Sequence, residues 1–266
     1  VYKYFDKYIV YIIKDNMFNF EKIGTKIAQI QGGKKDKEFV YLAQPSDKVK
    51  NGYDEIKLDE GAVMQPLPNK KIVEKLYVSG ASGSGKSVYT GKWLKQLHKM
   101  YPDMPLYLFS PVEEDKALDH LPLERVDMDM HLLQNPFSIE ELADSVVIFD
   151  DCDSIKEPAM KKYISWLRDN LLIRGRHTNT RIVYISHLIS NYSDTRNLLN
   201  ESTSVTVFPR SGSGTYQIKK FLEVQCGLDK KEIKRFLNLP SRWITIYRSY
   251  PQYVVHQSGC YFPSFD

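Results

Sequence analysis

The chain has 266 residues, 42% of them hydrophobic and 26% charged, with 14 glycines and 13 prolines. That is a globular composition, which argues against collagenous, low-complexity and disordered classes and leaves enough length for one large domain, alone or with an annex. Thirty-seven basic against 33 acidic residues give a net charge of +4, which permits a nucleic-acid partner without arguing for one. The three cysteines have no Cys-x-x-Cys spacing, which speaks against a zinc ribbon or a disulfide framework and suits a reducing compartment.

Residues 1–20 are rich in Tyr, Phe and Ile without a clear period. Their longest apolar run, residues 8–13, falls short of the roughly 18 residues of a membrane span, and no small-residue cleavage site follows; neither a transmembrane helix nor a signal peptide is expected. Residues 21–75 alternate short apolar runs with turn signals at Gly32-Gly33, Pro45-Ser46, Asn51-Gly52 and Pro66-Leu67-Pro68. Residues 39–43 read as a strand, and the spacing predicts a small β-rich annex over residues 1–70.

From residue 72 strand-like runs alternate with helical segments, the pattern of a parallel sheet covered by helices, and residues 71–266 are assigned to it. Strands are predicted at 76–79, 105–110, 145–150, 181–186 and 204–208. Helices are predicted at about 86–100, 158–173, 215–225 and 229–238. Residues 243–247 and 253–255, with a turn at 249–252, read as a C-terminal β-hairpin. The fold class is therefore α/β, a three-layer sandwich around a mostly parallel sheet with an N-terminal β annex.

Between the first of these strands and its helix lies Gly80-Ala81-Ser82-Gly83-Ser84-Gly85-Lys86-Ser87, which matches G-x-x-x-x-G-K-[ST]. Glycines let the backbone wrap phosphate oxygens with its N–H groups inward, and the following helix adds its positive dipole end. Lys86 supplies charge to the β- and γ-phosphates and the Ser87 hydroxyl coordinates Mg²⁺; Val88 closes the nucleotide-binding segment. The apolar run 146–149 ends in Asp150-Asp151, which places carboxylates at the carboxyl edge of a buried strand, where open α/β sheets bind ligands. Asp150 would hold the magnesium through water, and Asp151 would polarise the attacking water. His187, at the tip of the next strand, is the candidate γ-phosphate sensor. Arg174 and Arg176 close a helix, where cations suit the dipole, and equally fit an arginine finger reaching a neighbouring subunit. The pairs Lys161-Lys162, Lys219-Lys220, Lys230-Lys231 and Lys234-Arg235 read first as a solvated face and second as the lining of a DNA channel.

Residues 80–87, 146–151 and Gly175-Arg176-His177, with the strand ending Ile185-Ser186-His187, resemble the FtsK–HerA class of P-loop ATPases, and within it the DNA-packaging ATPases of poxviruses and giant viruses. The resemblance spans about residues 70–255. His187 stands where those enzymes usually have Gln, and Asp151 where much of the wider class has Glu. It implies an ATP- and Mg²⁺-dependent ring motor moving double-stranded DNA, a homo-oligomer with a capsid or portal-like partner, and a place in the virion or virus factory if viral, otherwise the cytoplasm. The residues alone reach an ATP-binding P-loop protein, and leave open a nucleotide-dependent switch with little turnover or a small-molecule kinase.

Overall fold

A computed structural model describes residues 16–190, 192–210 and 214–264; the apolar run at 8–13 lies outside them. The N-terminal segment carries β1 (Met17–Asn19), β2 (Thr25–Gln31), β3 (Phe39–Ala43), β4 (Glu55–Lys57) and β5 (Val63–Pro66). Next come β6 (Lys75–Ser79), α1 (Lys86–Met100), β7 (Leu106–Phe109), β8 (Leu123–Val126), α2 (Met130–Gln134) and β9 (Val146–Asp150). The chain continues through α3 (Pro158–Arg174), β10 (Arg181–Ser186), α4 (Arg196–Glu201), β11 (Ser204–Val207), α5 (Thr215–Val224) and α6 (Lys230–Asn238). It closes with β12 (Ile244–Tyr247), β13 (Tyr253–His256) and β14 (Gly259–Tyr261).

The large sheet has ten strands in the order β4-β14-β13-β12-β11-β6-β10-β9-β7-β8. From β8 to β11 every pairing is parallel, and from β11 to β4 every pairing is antiparallel. Strands buried on both faces read as continuous apolar runs, which is why 146–149 and 182–185 are legible as strands. Their alternate residues serve opposite layers. Tyr77, Val147, Phe149, Ile182 and Tyr184 pack with Ile164, Leu167 and Leu171 of α3 and with α5 and α6. Leu76, Val78, Val146, Ile148, Val183 and Ile185 pack with Trp93, Leu94 and Leu97 of α1. Helix, sheet and helix are thus the three layers expected.

The four-stranded antiparallel sheet, β1-β3-β2-β5, packs through Phe18, Ile27, Ile30 and Met64 into the α1 side of this core. β4 leaves that segment and pairs with β14, so residues 55–57 are the last strand of the large sheet. The expected hairpin of β12 and β13 forms and continues into β14. β8, β14 and β4 escape sequence reading because each has only three or four residues, too few to show a period.

Candidate nucleotide site

β6 ends at Ser79, and residues 80–85 turn sharply to start α1 at Lys86. Gly83 and Gly85 take φ of 72° and 106°, a left-handed backbone that glycine adopts without strain. The first-turn amides of α1 have no intrahelical acceptor, and Tyr89 N is the first to bond back, to Gly85 O at 3.0 Å. Loop and helix start together present free amides and a positive dipole end to the space above the sheet.

β10 lies between β6 and β9, and its Ile185 pairs with Val78 on one side and Asp150 on the other. That register sets Asp150 level with the end of β6 and two strand spacings away, about 10 Å. A cavity of about 420 Å³ fills the gap, lined by Ser82, Gly83, Gly85, Lys86, Ser87, Val88, Asp150, Asp151 and His187, together with Asp115, Lys116, Ala117 and Arg242. The structure therefore gathers the predicted lysine, hydroxyl, carboxylate pair and histidine around one space.

Within the cavity three of these groups touch. Lys86 Nζ lies 3.3 Å from His187 Nδ1 and donates to Ala81 O at 3.3 Å. His187 Nε2 lies 2.9 Å from Asp151 Oδ1. A lysine ammonium has no acceptor, so Nδ1 must receive from it, which leaves the ring proton on Nε2; Asp151 Oδ1 is beside that nitrogen but no hydrogen bond is aligned between them. Burial lowers the Lys86 pKa, and Asp151 and Asp150 pull it back up. Burial, with the Asp151 and Asp115 carboxylates adding to it, pushes Asp150 up to about 7, against the opposing pull of Lys86 and Arg125.

Asp151 sits at φ 50°, turned off the strand into a short 3-10 turn, Cys152–Ser154. Asp153 of that turn accepts from Tyr184 Oη at 2.9 Å and from Ser186 Oγ. Ser186 Oγ in turn receives Leu188 N at 3.2 Å, so the backbone around His187 is tied to the carboxylate turn. Sequence reasoning missed Asp153 and Arg242. The third carboxylate of Asp150-Asp151-Cys152-Asp153 was a signal for the first; nothing local marked the second.

The cradle fits a magnesium nucleotide. Ser84 Oγ is buried in the loop without a partner among the described residues, an orphan hydroxyl in a phosphate-sized turn. Among the described residues no group of three or more His, Cys, Asp or Glu is placed to hold a metal. The cavity's oxygen donors include Ser87 and Asp150, which suits Mg²⁺, an ion that keeps several waters and shares its shell with phosphate oxygens.

Arg174 and Arg176 are not at this site. β10 runs from Arg181 to Ser186 with its carboxyl end at the cavity, so the turn that precedes it lies at the opposite edge of the sheet. There Arg174 lies 3.8 Å from Glu140 Oε1 and Arg176 Nε is 3.4 Å from His177 Nε2, both side chains exposed. Neither reaches the cavity of its own chain. The lysine pairs on α3, α5 and α6 are also outside it.

No protein-family model matches the chain. Protein V3 of Sputnik virophage is 35% identical over 246 residues, covering 92% of this chain and 98% of that protein. The chain belongs to the family of protein V3. The V3 family thereby includes a virophage member. Solved structures similar to this chain include the conjugation coupling protein TcpA of pCW3 (TM-score 0.48, 14% identity, 91% of this chain and 78% of that one). The DNA-packaging ATPase B204 of Sulfolobus turreted icosahedral virus gives a TM-score of 0.48 at 11% identity, covering 73% and 98%. The type VII secretion ATPase EccC of Thermomonospora curvata gives 0.46 at 13%, covering 80% and 28%. The fold is the P-loop fold expected from the FtsK–HerA resemblance, on the strength of the strand–loop–helix unit and the strand inserted between β6 and β9. Among the described residues no helix is long and apolar enough to cross a membrane.

Proposed function

We propose that the protein is a Mg²⁺-dependent ATPase of the FtsK–HerA class that moves double-stranded DNA, in the setting of viral genome packaging. The single observation that carries the ATPase reading is the convergence of Lys86, Ser87, Asp150, Asp151 and His187 on one cavity at the carboxyl edge of the sheet. The DNA and packaging part is supported by the motif resemblance and by the virophage source of the relative. A homo-oligomeric ring and a capsid or portal-like partner belong to the same proposal.

Loop amides and Lys86 hold the phosphates, and Ser87 and Asp150 would hold the metal, whose charge offsets that of the triphosphate. Binding draws Lys86 from His187 Nδ1 to the β/γ oxygens. The freed Nδ1 can accept a hydrogen bond from water, while Nε2 stays beside Asp151. Asp151, next to the cavity, takes the proton of the attacking water. His187 thus links the lysine that senses phosphate to the carboxylate that activates water. The deciding experiment is ATP hydrolysis with and without double-stranded DNA, on protein sized by light scattering. DNA-stimulated turnover supports the motor; tight ATP binding without turnover would assign a switch, and transfer to a small acceptor would assign a kinase.

A further inference from the structure

Arg242 lies just before β12, far from the phosphate loop in sequence, yet its guanidinium grips that loop. Nε donates to Ser84 O at 2.7 Å and Nη2 to Gly83 O at 3.3 Å. The fit is close: a Cβ on Gly85 would stand 3.3 Å from the guanidinium. Its backbone is anchored in turn. Arg242 N donates to Gln257 Oε1, Gln257 N donates to Ser241 Oγ at 3.0 Å, and Gln257 O accepts from Met64 N of β5 at 2.7 Å. The next residue, Trp243, packs its ring against Tyr89 of α1, centroids 5.1 Å apart. One short segment therefore holds the loop by its carbonyls and the helix by a ring.

A peptide unit is planar, so fixing its C=O also fixes the N–H on its other side. Two carbonyls held by one rigid fork set two successive peptide planes of the phosphate loop; the Ser84 N–H of the first donates to Ala81 O at 3.2 Å, and the Gly85 N–H of the second is the one left for a ligand. We infer that Arg242 is a positioning residue of the phosphate site, presetting the loop so that the Gly85 amide faces the bound diphosphate and tying that geometry, through Gln257, to the N-terminal sheet. This rests on the nucleotide reading of the cavity. It deepens that reading by giving the C-terminal hairpin a share in nucleotide affinity.

The test is equilibrium binding of fluorescent ATP and ADP analogues with Mg²⁺ to the full chain and to Arg242→Ala, Arg242→Lys, Gln257→Ala and Lys86→Ala. Arg242→Ala should raise Kd roughly tenfold, the scale of a lost charge-assisted hydrogen bond, and by the same factor for both analogues, because the loop cradles phosphates common to both. Arg242→Lys should not rescue, since an ammonium keeps the charge but cannot span two carbonyls as a planar fork does. Gln257→Ala leaves the guanidinium in place and should shift both values in the same direction by a smaller factor; it carries the test if Arg242→Ala does not fold. Wild-type affinity in the Arg242 and Gln257 variants, with binding lost in Lys86→Ala, overturns the proposal and leaves the nucleotide site standing. A loss confined to the ATP analogue, or full rescue by lysine, also overturns it, because Arg242 would then be a charge partner of the third phosphate. Unchanged binding in Lys86→Ala sinks the nucleotide reading, and this inference with it.

Discussion

At the scale of single residues, Lys86, His187 and Asp151 stand in a chain of contacts that, under the proposed function, would tie phosphate recognition to water activation. Asp151→Asn keeps the shape and removes the proposed base. ATP should still bind, while single-turnover hydrolysis falls by roughly 10²–10⁴, the worth of a positioned base; loss of binding instead would make Asp151 a metal or structural residue. Asp150 gives a pH signature. Burial pushes its carboxyl up to about 7, so below that pH a proton occupies the oxygen that the proposed metal would use. Metal binding there would release a proton, and Mg²⁺ affinity should rise with pH. Between pH 6 and pH 8 the Mg²⁺ dependence of nucleotide-analogue binding should strengthen about tenfold, with Asp150→Asn reporting the nucleotide's own titration as the background. A wild-type response no larger than that background would remove Asp150 from the metal shell.

At the scale of elements, α3 connects the carboxylate turn to the strand that carries His187. Glu157 caps it by accepting from Met160 N, Pro158 occupies its first turn, and its buried stripe of Ile164, Leu167 and Leu171 packs on Phe149 and Tyr184. Leu167 is fully buried, so Leu167→Ala leaves a cavity against the sheet and should cost about 2–5 kcal/mol in urea unfolding. A loss under about 1 kcal/mol would mean that the helix repacks freely. The parallel strands other than β8, and the helices α1, α3, α5 and α6, were legible because they are long or largely apolar on one face, whereas the five- and six-residue α2 and α4 were not. The phosphate loop, the carboxylate pair and His187 were legible because a strand end or a spacing marked each one. Arg242 was not: a basic residue before a strand carries no sign of a partner distant in sequence. Nor was β4, whose three residues become a strand only because Cys260 and its neighbours offer them an edge.

At the scale of the whole molecule, the placement of Arg174 and Arg176 decides how they can act. They stand at the sheet edge opposite the cavity, so a finger role for either requires a second subunit. Mixing Arg174→Ala/Arg176→Ala protein with Lys86→Ala protein should restore part of the turnover, since one supplies an intact phosphate loop and the other intact arginines; a finger is worth about 10³–10⁵ in rate. If hetero-oligomers form and remain inactive, both arginines are helix-end cations only.

The pairing of β4 with β14 has a consequence for the order in which the protein is built. During vectorial synthesis β4 emerges long before the strand it needs, and until then its ladder groups have no partner in the large sheet. The parallel half, with its phosphate loop, can collapse on its own helices in that interval. Completion of this edge waits for β14 to be made, so β4 pairs only after the chain between residues 57 and 259 has been synthesised. A ribosome-stalled chain lacking β14 would present the free edge of β13, a template for pairing with another chain.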